Sequence, residues 1–514
     1  MPILWRTFSK LLRSKLPFID LIGVVSSGSY SSSHLIRRCY NIPRLATALI
    51  SAPNRRFSTM FVLPPNCSTD RMAPCLTARG CSAEGHCQSR PFSSMPSTSS
   101  LIKHLPGYGI PDEPQYAGLV NIEEKTSSNL FYWLIQSSKD EVVAKSPLII
   151  WLQGGPGASS LYGLLGENIG PYSVNEDLKL SPNPHSWHHL AHLMFIDYPV
   201  GTGFSYTNCP ERYVRNDAQG AQDFLQFLLK FYHKYPQFRK CDLYITGESY
   251  AGKYVPAIAD RILRWNEGAD CCDQLINLHG VVLCSPWIHP EAQTPAYTEH
   301  AHRHGCLTDD QKCHADDLME ECVRLFRQGE MLKSTKVWDE AAEYIYKCGG
   351  GFSPYDVRDK SGTADLPGPM DRWLALPEVR KALHVGDRVW NEDNGVKVFE
   401  SLREDDMIGS LPFLEHVVRK TRVLVVNGEY DWVCNYIGIE NLLDQYLMWD
   451  GKHEFVKSRK AWRHRENLGG YMRTGGNLTH LVVYDAGHMV PLDQPEISFD
   501  VMMKFTQSRK VTKN

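Results

Sequence analysis

The sequence predicts an α/β fold with a central mixed, mostly parallel sheet and a helical insertion. Three apolar runs of strand length, 241–247, 422–428 and 481–487, each lead into a glycine-containing loop, which is typical of buried parallel strands. Apolar residues at helical spacing over 218–235 predict a crossover helix that leads to the first of these strands. Polar helical segments replace this pattern between 286 and 370, which predicts an insertion.

The first 60 residues are predicted to be a targeting presequence. They contain nine Lys or Arg residues and one acidic residue, Asp20. The apolar run 16–25, which follows two basic residues, favours a secretory signal, although Asp20 lies inside it. Arginine pairs at 37–38 and 55–56 are typical instead of a mitochondrial presequence. We expect the secretory route and keep the mitochondrial route as the alternative.

Residues 61–100 form a segment rich in Ser, Pro, Gly and Thr that also contains four cysteines. This composition predicts a disulfide-tied loop or a disordered pro-region, and two bonds among four cysteines would allow three pairings. A zinc module is disfavoured because the segment has no Cys-x-x-Cys spacing. The cysteines are Cys67, Cys75, Cys81 and Cys87.

The core of the fold is predicted to comprise residues 101–285 and 371–514, with the insertion at 286–370 between them. The first part of the core contains apolar runs that are bounded by turn residues and have the length of strands. These predicted strands cover 116–122, 129–135, 146–152, 193–197 and 278–284.

The segment 241–256 predicts a nucleophile elbow, which is a sharp turn between a strand and a helix that exposes a serine. Its Gly-x-Ser-x-x-Gly string places Gly247 two residues before Ser249, where a side chain would collide with the opposite arm of the turn. Gly252 closes the turn one residue later than in the minimal pattern. Ser249 would then stand at the end of a parallel sheet, beside backbone amides that can receive an oxyanion. A serine that only caps a helix is the other interpretation of this string.

An acid and a base follow Ser249 in the order that a catalytic triad requires. Asp431 and His488 each come after an apolar strand run and a glycine-containing loop. Serine, aspartate and histidine in this order are typical of the α/β-hydrolase fold. Loops at the carboxyl ends of parallel strands share one crevice, so the three side chains can converge. We therefore predict an α/β-hydrolase fold with a cap insertion.

From about Leu101 to about Phe505 the chain resembles the serine carboxypeptidases of the peptidase S10 family. The resemblance rests on the three catalytic strings and on three further ordered strings. These are Trp-Leu-Gln-Gly-Gly-Pro-Gly-Ala-Ser-Ser at 151–160, Gly-Glu-Asn-Ile-Gly-Pro at 166–171 and Phe-Ile-Asp-Tyr-Pro-Val-Gly-Thr-Gly-Phe-Ser-Tyr at 195–206. Gln153 and Ala158 make the chain similar to the vitellogenic-like and retinoid-inducible subgroup. The resemblance implies that 286–370 is the helical cap of the family, which forms one wall of the cleft.

The triad implies an acyl-enzyme reaction in which an oxyanion must be stabilised. The residue after the nucleophile normally supplies one backbone donor, which here is the amide of Tyr250. The second donor is expected to be the amide of Gly155 in the Gly154-Gly155-Pro156 loop. A tight turn that needs glycine is the structural interpretation of that loop, and the two interpretations are compatible.

The resemblance also implies a site for the C-terminal carboxylate of a peptide, formed by Gln153, Glu167 and Glu248. Acidic side chains bind a carboxylate only when they are protonated and donate hydrogen bonds. We therefore expect peptidase activity at acidic pH that falls as the pH rises through a shared, raised pKa of the two glutamates. Met489, beside the catalytic histidine, is expected either to line the pocket for the departing residue or simply to pack.

Three features depart from the usual pattern of the family. Gln153 is one methylene longer than the common asparagine, so the carboxylate-binding group is expected to be displaced. Ala158 replaces a cysteine that usually joins this loop to the cap, so we expect a looser loop. The segment 284–290 replaces the usual string that contains Gly-Asn-Gly, and the sequence does not predict the effect.

The fifteen cysteines favour an oxidising compartment, and the sequons at Asn66 and Asn477 agree with a glycoprotein of the secretory pathway. Because the count is odd, at least one thiol stays free if the others pair within the chain. The resemblance implies that Cys434 is a free cysteine. A bridge between Cys322 and Cys348 in the insertion is a plausible pairing.

The charge distribution bears on the partners of the protein. The formal net charge is −3, but residues 61–514 contain 46 basic and 57 acidic residues, a net charge of −11. An acidic body argues against nucleic acid as a partner. No run of eighteen apolar residues predicts a membrane span. The resemblance implies peptide or protein C-termini as partners, and a homodimer is the candidate assembly.

No cofactor or metal is predicted. His188 and His192 have the i,i+4 spacing of zinc ligands, but no glutamate completes a metalloprotease motif, so we expect both on a core helix. The histidines at 300, 302 and 304 are expected to lie on a solvated face of the cap.

The predicted function is a serine-type carboxypeptidase, and two rivals remain. An acyltransferase would use the same acyl-enzyme and pass it to an alcohol or an amine. A non-catalytic binding or protective protein could retain the scaffold, although such a role does not require Ser249, Asp431 and His488 together. The lysosome, the vacuole or secretion is the expected destination.

Overall fold

The computed structural model describes residues 100–139, 143–269, 274–360, 368–393 and 395–507. The targeting segment predicted at 1–60 lies outside the described residues, as does the cysteine-containing segment except for Ser100. The domain boundaries predicted from the sequence stay predictions.

Twelve β-strands occur among the described residues. They are β1 Gln115–Glu123, β2 Ser128–Ile135, β3 Leu148–Leu152, β4 Tyr172–Val174, β5 Leu180–Pro182, β6 His192–Ile196, β7 Leu243–Glu248, β8 Leu278–Cys284, β9 Arg422–Gly428, β10 Lys460–His464, β11 Asn467–Gly475 and β12 Leu478–Val483.

Fifteen α-helices occur in the same part of the chain. They are α1 Leu161–Leu165, α2 Asp217–Lys234, α3 Ala251–Glu267, α4 Pro290–Gln293, α5 Ala296–Arg303, α6 Asp309–Arg327, α7 Met331–Cys348, α8 Pro369–Leu374, α9 Pro377–Ala382, α10 Val396–Ser401, α11 Leu411–Lys420, α12 Tyr436–Asn441, α13 Lys452–Lys457, α14 Val490–Asp493 and α15 Pro495–Gln507. A short 3₁₀ turn spans Asp405–Met407.

Ten of the strands form one sheet in the order β1-β2-β6-β3-β7-β8-β9-β12-β11-β10. The central strands from β6 to β12 pair in parallel, and antiparallel strands flank them on both sides. Every residue of β3, β7 and β9 is buried, as expected for strands covered on both faces. The predicted α/β-hydrolase fold with its mixed, mostly parallel sheet is confirmed.

The central strands place the candidate site residues at one edge of the sheet. Parallel strands β3, β7, β9 and β12 end next to the loops that carry Gln153, Ser249, Asp431 and His488. The crossover helix α2 begins at Asp217, and the side chain of the preceding residue, Asn216, caps it by accepting a hydrogen bond from the Gln219 amide. The strands predicted at 116–122 and 129–135 pair as β1 and β2. The antiparallel edge strands β10 and β11 were not predicted.

Three histidine predictions were wrong. His188 lies in the short 3₁₀ turn Trp187–His189, and His192 lies in β6, so the two do not share a helix. Because the residues from His192 onward form a strand, the i,i+4 spacing of the two histidines does not place them on one face of a helix. His300 is fully buried rather than solvated, and its Nε2 lies 3.1 Å from the Glu429 carbonyl oxygen. Only His302 and His304 of that run are partly exposed.

The predicted bridge between Cys322 and Cys348 is also wrong, since both cysteines are free. Helices α6 and α7 pack against each other, and Cys322 Sγ lies 3.4 Å from the Ser334 carbonyl oxygen near the start of α7. Cys348 is the last residue of α7 and lies fourteen positions after Ser334. At 1.5 Å per residue this places Cys348 about 21 Å away along the axis.

A buried lysine joins the helix after Ser249 to two other segments. Lys253 in α3 is fully buried, and its Nζ donates to Asp405 Oδ2 at 2.9 Å and to the Ile408 carbonyl oxygen at 2.6 Å. Asp217 Oδ2 lies 3.5 Å from the same nitrogen. Removing the lysine would leave buried carboxylates without their cation, which is far costlier than the loss of a surface pair.

We therefore expect Lys253→Met to lower the free energy of unfolding by about 3–5 kcal/mol. The matched control is Lys420→Met, because Lys420 is half exposed and pairs with Glu267 at 3.0 Å. A surface pair of this kind contributes about 0–1 kcal/mol. Urea denaturation of both variants measures the difference, and equal losses would contradict the account.

Candidate active site

Ser249 lies in a strained turn between β7 and α3. Its φ of 64° is in the left-handed region, which non-glycine residues rarely adopt. An added Cβ at Gly247 would lie 2.6 Å from Ala251 Cβ and 2.8 Å from Val255 Cγ2, so the turn can form only with glycine there. The nucleophile elbow thus has the shape that the sequence predicts.

The segment 284–290 supports this turn from the other side. The Ser249 amide donates to the Cys284 carbonyl oxygen at 3.0 Å, and the Trp287 amide donates to the Ser249 carbonyl oxygen at 2.9 Å. Gly252 packs against the same segment, since an added Cβ would lie 2.5 Å from Pro286 Cβ. The sequence did not predict this function for the unusual string at 284–290.

His488 and Asp431 form a fully buried pair. Asp431 Oδ2 lies 2.8 Å from His488 Nδ1, and Asp431 Oδ1 accepts a hydrogen bond from the Cys434 amide at 3.0 Å. The loops that carry them touch, because an added Cβ at Gly428 would lie 1.9 Å from the Gly487 carbonyl oxygen. An aspartate in this position holds the imidazole ring with its other nitrogen available as a base.

Ser249 and His488 are not joined by a hydrogen bond in this structure. His488 Nε2 has no hydrogen-bond partner among the described residues. Tyr355 lies near both Ser249 and His488. It lines the same cavity as Ser249, and the centroid of its ring lies 5.3 Å from that of the His488 ring. Catalytic hydrogen bonds are often long before substrate binds.

The loop 154–158 contacts the backbone of the elbow. An added Cβ at Gly154 would lie 2.4 Å from the Tyr250 amide nitrogen and 2.6 Å from the Glu248 carbonyl oxygen. Gly155 follows with φ of 112°. Within the described part of the chain, neither the Gly155 nor the Tyr250 amide donates a hydrogen bond. Both amides can therefore serve an oxyanion.

The loop also has its own anchors, although Ala158 cannot form a disulfide. Gly157 and Gly395 approach backbone to backbone, since a Cβ added at Gly395 would lie 2.3 Å from the Gly157 carbonyl oxygen. Buried Asp197 accepts hydrogen bonds from the Ser159 hydroxyl and, at 3.2 Å, from the Ser160 amide. Close packing and one buried carboxyl thus hold the loop.

Gln153 connects two buried glutamates. Its Nε2 donates to Glu248 Oε1 at 2.8 Å and to Glu167 Oε1 at 3.1 Å, while its Oε1 accepts a hydrogen bond from Trp151 Nε1 at 2.8 Å. Gln153, Glu167 and Glu248, which we call the clamp residues, are all buried. The longer glutamine therefore reaches both carboxyls.

The two glutamates are arranged to hold protons. Burial raises the pKa of Glu167 to about 7, and the nearby His488 and the hydrogen bond from Gln153 only partly oppose this effect. Burial, and then repulsion from Glu167, raise the pKa of Glu248 well above its usual value. The second carboxyl oxygen of each residue has no hydrogen-bond partner among the described residues. A protonated oxygen there can donate to an incoming anion.

A cavity opens beside Ser249. It contains about 760 Å³ of empty space including its mouth. The clamp residues do not line it, and neither does half-buried Met489. Sequence reasoning did not identify most of its lining, which comes from the insertion and from loops far apart in the chain. The lining includes Trp287, Tyr297, Trp338, Tyr355, Phe399, Arg403, Asp406, Val433 and Cys434.

The described residues contain neither a candidate metal centre nor a membrane-spanning helix. No cluster of three or more His, Cys, Asp or Glu side chains is placed to hold a metal ion. In the same part of the chain, no helix has both the length and the apolar character that crossing a membrane requires.

Comparison with known proteins identifies the family. The family model of the serine carboxypeptidases, peptidase S10, matches residues 106–508. The venom serine carboxypeptidase of Apis mellifera is 34% identical over 406 residues, which cover 77% of this chain and 84% of the relative. The vitellogenic carboxypeptidase of Aedes aegypti is 31% identical over 400 residues, which cover 76% of this chain and 83% of the relative. The predicted similarity to the vitellogenic-like subgroup is confirmed.

Among solved structures, the fold is similar to that of a prohormone-processing carboxypeptidase from Saccharomyces cerevisiae. The TM-score is 0.69 at 24% identity, and the match covers 77% of this chain and 91% of that chain. The chain therefore belongs to the serine carboxypeptidase family, and its activity is that of a serine-type carboxypeptidase, a hydrolase of peptide bonds.

Proposed function

We propose that Ser249, His488 and Asp431 form the catalytic triad and that Gln153, Glu167 and Glu248 select a free C-terminal carboxylate. The observation that carries the proposal is the buried pair of carboxyls joined by Gln153 beside the elbow. An endopeptidase would have no use for two buried carboxyls that hold protons at this place, whereas an exopeptidase must recognise the charged end of its substrate.

The reaction proceeds through an acyl-enzyme. Ser249 Oγ attacks the last peptide carbonyl while His488 Nε2 accepts its proton, and Asp431 stabilises the imidazolium. The Gly155 and Tyr250 amides stabilise the oxyanion. His488 then returns the proton to the departing amine. Water attacks the acyl-enzyme in the second half of the reaction and releases the shortened peptide.

The protonated carboxyls give the reaction its pH dependence. At low pH the pair is neutral and donates hydrogen bonds to the substrate carboxylate. As the pH rises through the raised pKa of Glu167, about 7, the site gains a negative charge that repels the substrate. Activity is therefore present on the acidic side of this pKa and is lost above it. An acidic compartment of the secretory pathway, such as a lysosome or a vacuole, suits this dependence.

The secretory route has support from relatives, because the Apis mellifera relative is named as a venom protein. Lysosome or vacuole, and secretion, remain the proposed destinations. Peptide and protein C-termini are the proposed substrates, and a homodimer is the proposed assembly.

The direct test compares peptides with free and amidated C-termini. Mass spectrometry at pH about 5 is expected to show stepwise loss of residues from the free-acid peptide, with no loss from the amidated peptide. Ser249→Ala is expected to lose about 10⁴-fold or more in kcat, because it removes the nucleophile. Equal cleavage of both peptides would contradict the role of the carboxylate site. Transfer of the acyl group to an added alcohol in place of water would indicate the acyltransferase.

A second test uses the pH dependence of kcat/KM. In the double variant Glu167→Gln plus Glu248→Gln, both side chains still donate hydrogen bonds but neither can ionise. We expect kcat/KM of the wild type to fall about tenfold per pH unit above the raised pKa, because the protonated fraction falls by that factor. We expect kcat/KM of the double variant not to fall in this pH range.

Glu113→Gln is the matched control for this test. Burial also raises the pKa of Glu113, but its Oε1 lies near His188, at 3.7 Å, before β1. The control is expected to keep the pH profile of the wild type. An unchanged alkaline decline in the double variant would assign the decline to another group.

A further inference from the structure

The cavity beside Ser249 lies where the acyl part of a peptide would be bound. Gln153, Glu167 and Glu248 are assigned to the C-terminal carboxylate, and none of them lines the cavity. The scissile carbonyl must lie at Ser249, and it belongs to the penultimate residue of the substrate, so the side chain of that residue lies close to Ser249. A cavity that shares Ser249 and Tyr250 but excludes the carboxylate site therefore suits the side chain of the penultimate residue.

The walls of this cavity are mostly aromatic. Tyr297 and Trp338 meet edge to face with centroids 5.6 Å apart, and Trp287 lies 6.3 Å from Tyr297 and 6.4 Å from Trp338. Phe399 and Val433 add further apolar surface. Such walls suit the methylene chain of a long side chain and favour a cation near the ring faces.

A polar region interrupts the aromatic lining. Asp406 and Arg403 are its charged side chains, and their closest atoms are 3.7 Å apart. The Tyr250 hydroxyl is buried and has no hydrogen-bond partner among the described residues. Asp406 is close enough to raise the pKa of that hydroxyl, after burial itself. A buried hydroxyl without a partner in a cavity indicates room for a polar ligand group.

The charges around Asp406 leave an excess of carboxyls. Arg403 pairs with Asp339 of the insertion, and Lys253 pairs with Asp405 and Asp217. Among the described residues, Asp406 therefore shares these two cations with three other carboxyls: Asp217, Asp339 and Asp405. Burial raises the pKa of Asp406, and the opposing effects of Arg403, Lys253 and Trp287 do not cancel this rise. The anion would be stabilised by one more cation.

We propose that Asp406 makes the cavity select a basic side chain, lysine or arginine, at the penultimate position of the substrate. The methylene chain packs against Trp287, Tyr297 and Phe399, and the cationic end reaches the Asp406 carboxylate and the Tyr250 hydroxyl. This inference rests on the proposed carboxypeptidase mechanism and adds the side-chain class that it favours.

The test uses blocked peptides that differ only at the penultimate residue, which is lysine, norleucine, glutamine or glutamate. Norleucine has nearly the length of lysine without the charge. We expect kcat/KM for lysine to exceed that for norleucine by about tenfold or more, which corresponds to about 1.4 kcal/mol. The ratio is measured at pH about 5 and about 7, because the carboxylate form of Asp406, which would bind the cation, increases as the pH rises.

Asp406→Asn keeps the shape and removes the charge. We expect its lysine-to-norleucine ratio to fall by about tenfold, chiefly through a lower kcat/KM for the lysine peptide. The matched control is Asp316→Asn on α6, which removes one carboxylate that pairs with Lys312 at 2.7 Å and does not line the cavity. Its ratio is expected to equal that of the wild type.

Each outcome separates this inference from the proposed function. Cleavage of all four peptides at similar rates by the wild type would overturn the role of Asp406 and leave the carboxypeptidase mechanism intact. A preference for glutamate would overturn it in favour of Arg403 as the selecting residue. Failure to cleave any of the four peptides would overturn both. The wild-type ratio alone decides the matter if Asp406→Asn does not fold.

Discussion

The tight turn at Ser249 is the constraint on which the rest of the site depends. A serine with φ of 64° stores backbone strain, and the surrounding structure must hold it. Three glycines allow that support, because Gly247, Gly252 and Gly154 let helix α3, the segment after β8 and the loop 154–158 contact the turn without side chains between them. The loop 154–158 thereby lies against the backbone of Ser249 and Tyr250.

Burial of carboxyl groups is the second theme of the molecule. Near the elbow, Glu167 and Glu248 are held by Gln153, and Asp405 and Asp217 are held by Lys253. In a medium of low polarity, charges that are not balanced either take up protons or bind an opposite charge. The two glutamates take up protons. We infer that Asp406 instead binds an opposite charge when a basic side chain is bound.

Local patterns in the sequence predicted the sheet and the elbow well. Strand runs such as 422–428, and the Gly-x-Ser-x-x-Gly string, depend on short-range sterics and on burial, both of which leave a clear record in residue type. The order of Ser249, Asp431 and His488 was informative because loops at the carboxyl ends of parallel strands meet. Gln153, Glu167 and Glu248 came from resemblance, since nothing in their local sequence shows that they converge.

Other features could not be predicted because they depend on contacts between distant segments. His300 is buried where it meets another loop, at the Glu429 carbonyl oxygen. The packing of α6 against α7 determines how far Cys322 lies from Cys348 along the helix axis. The spacing of the cysteines in the sequence does not reveal this distance. The cavity brings together Trp287, Trp338 and Asp406, and the first and last of these are more than 100 residues apart in the sequence.

The central claim is that the carboxylate site carries a proton when it binds its ligand. Titration calorimetry of the inactive Ser249→Ala protein with a product-like peptide, in buffers of different ionisation enthalpy, counts the protons taken up. The account predicts uptake of a proton at a pH above the raised pKa of Glu167, about 7, and none for the amidated peptide. Binding of the free-acid peptide without proton uptake and with the same affinity from pH about 5 to about 8 would contradict it.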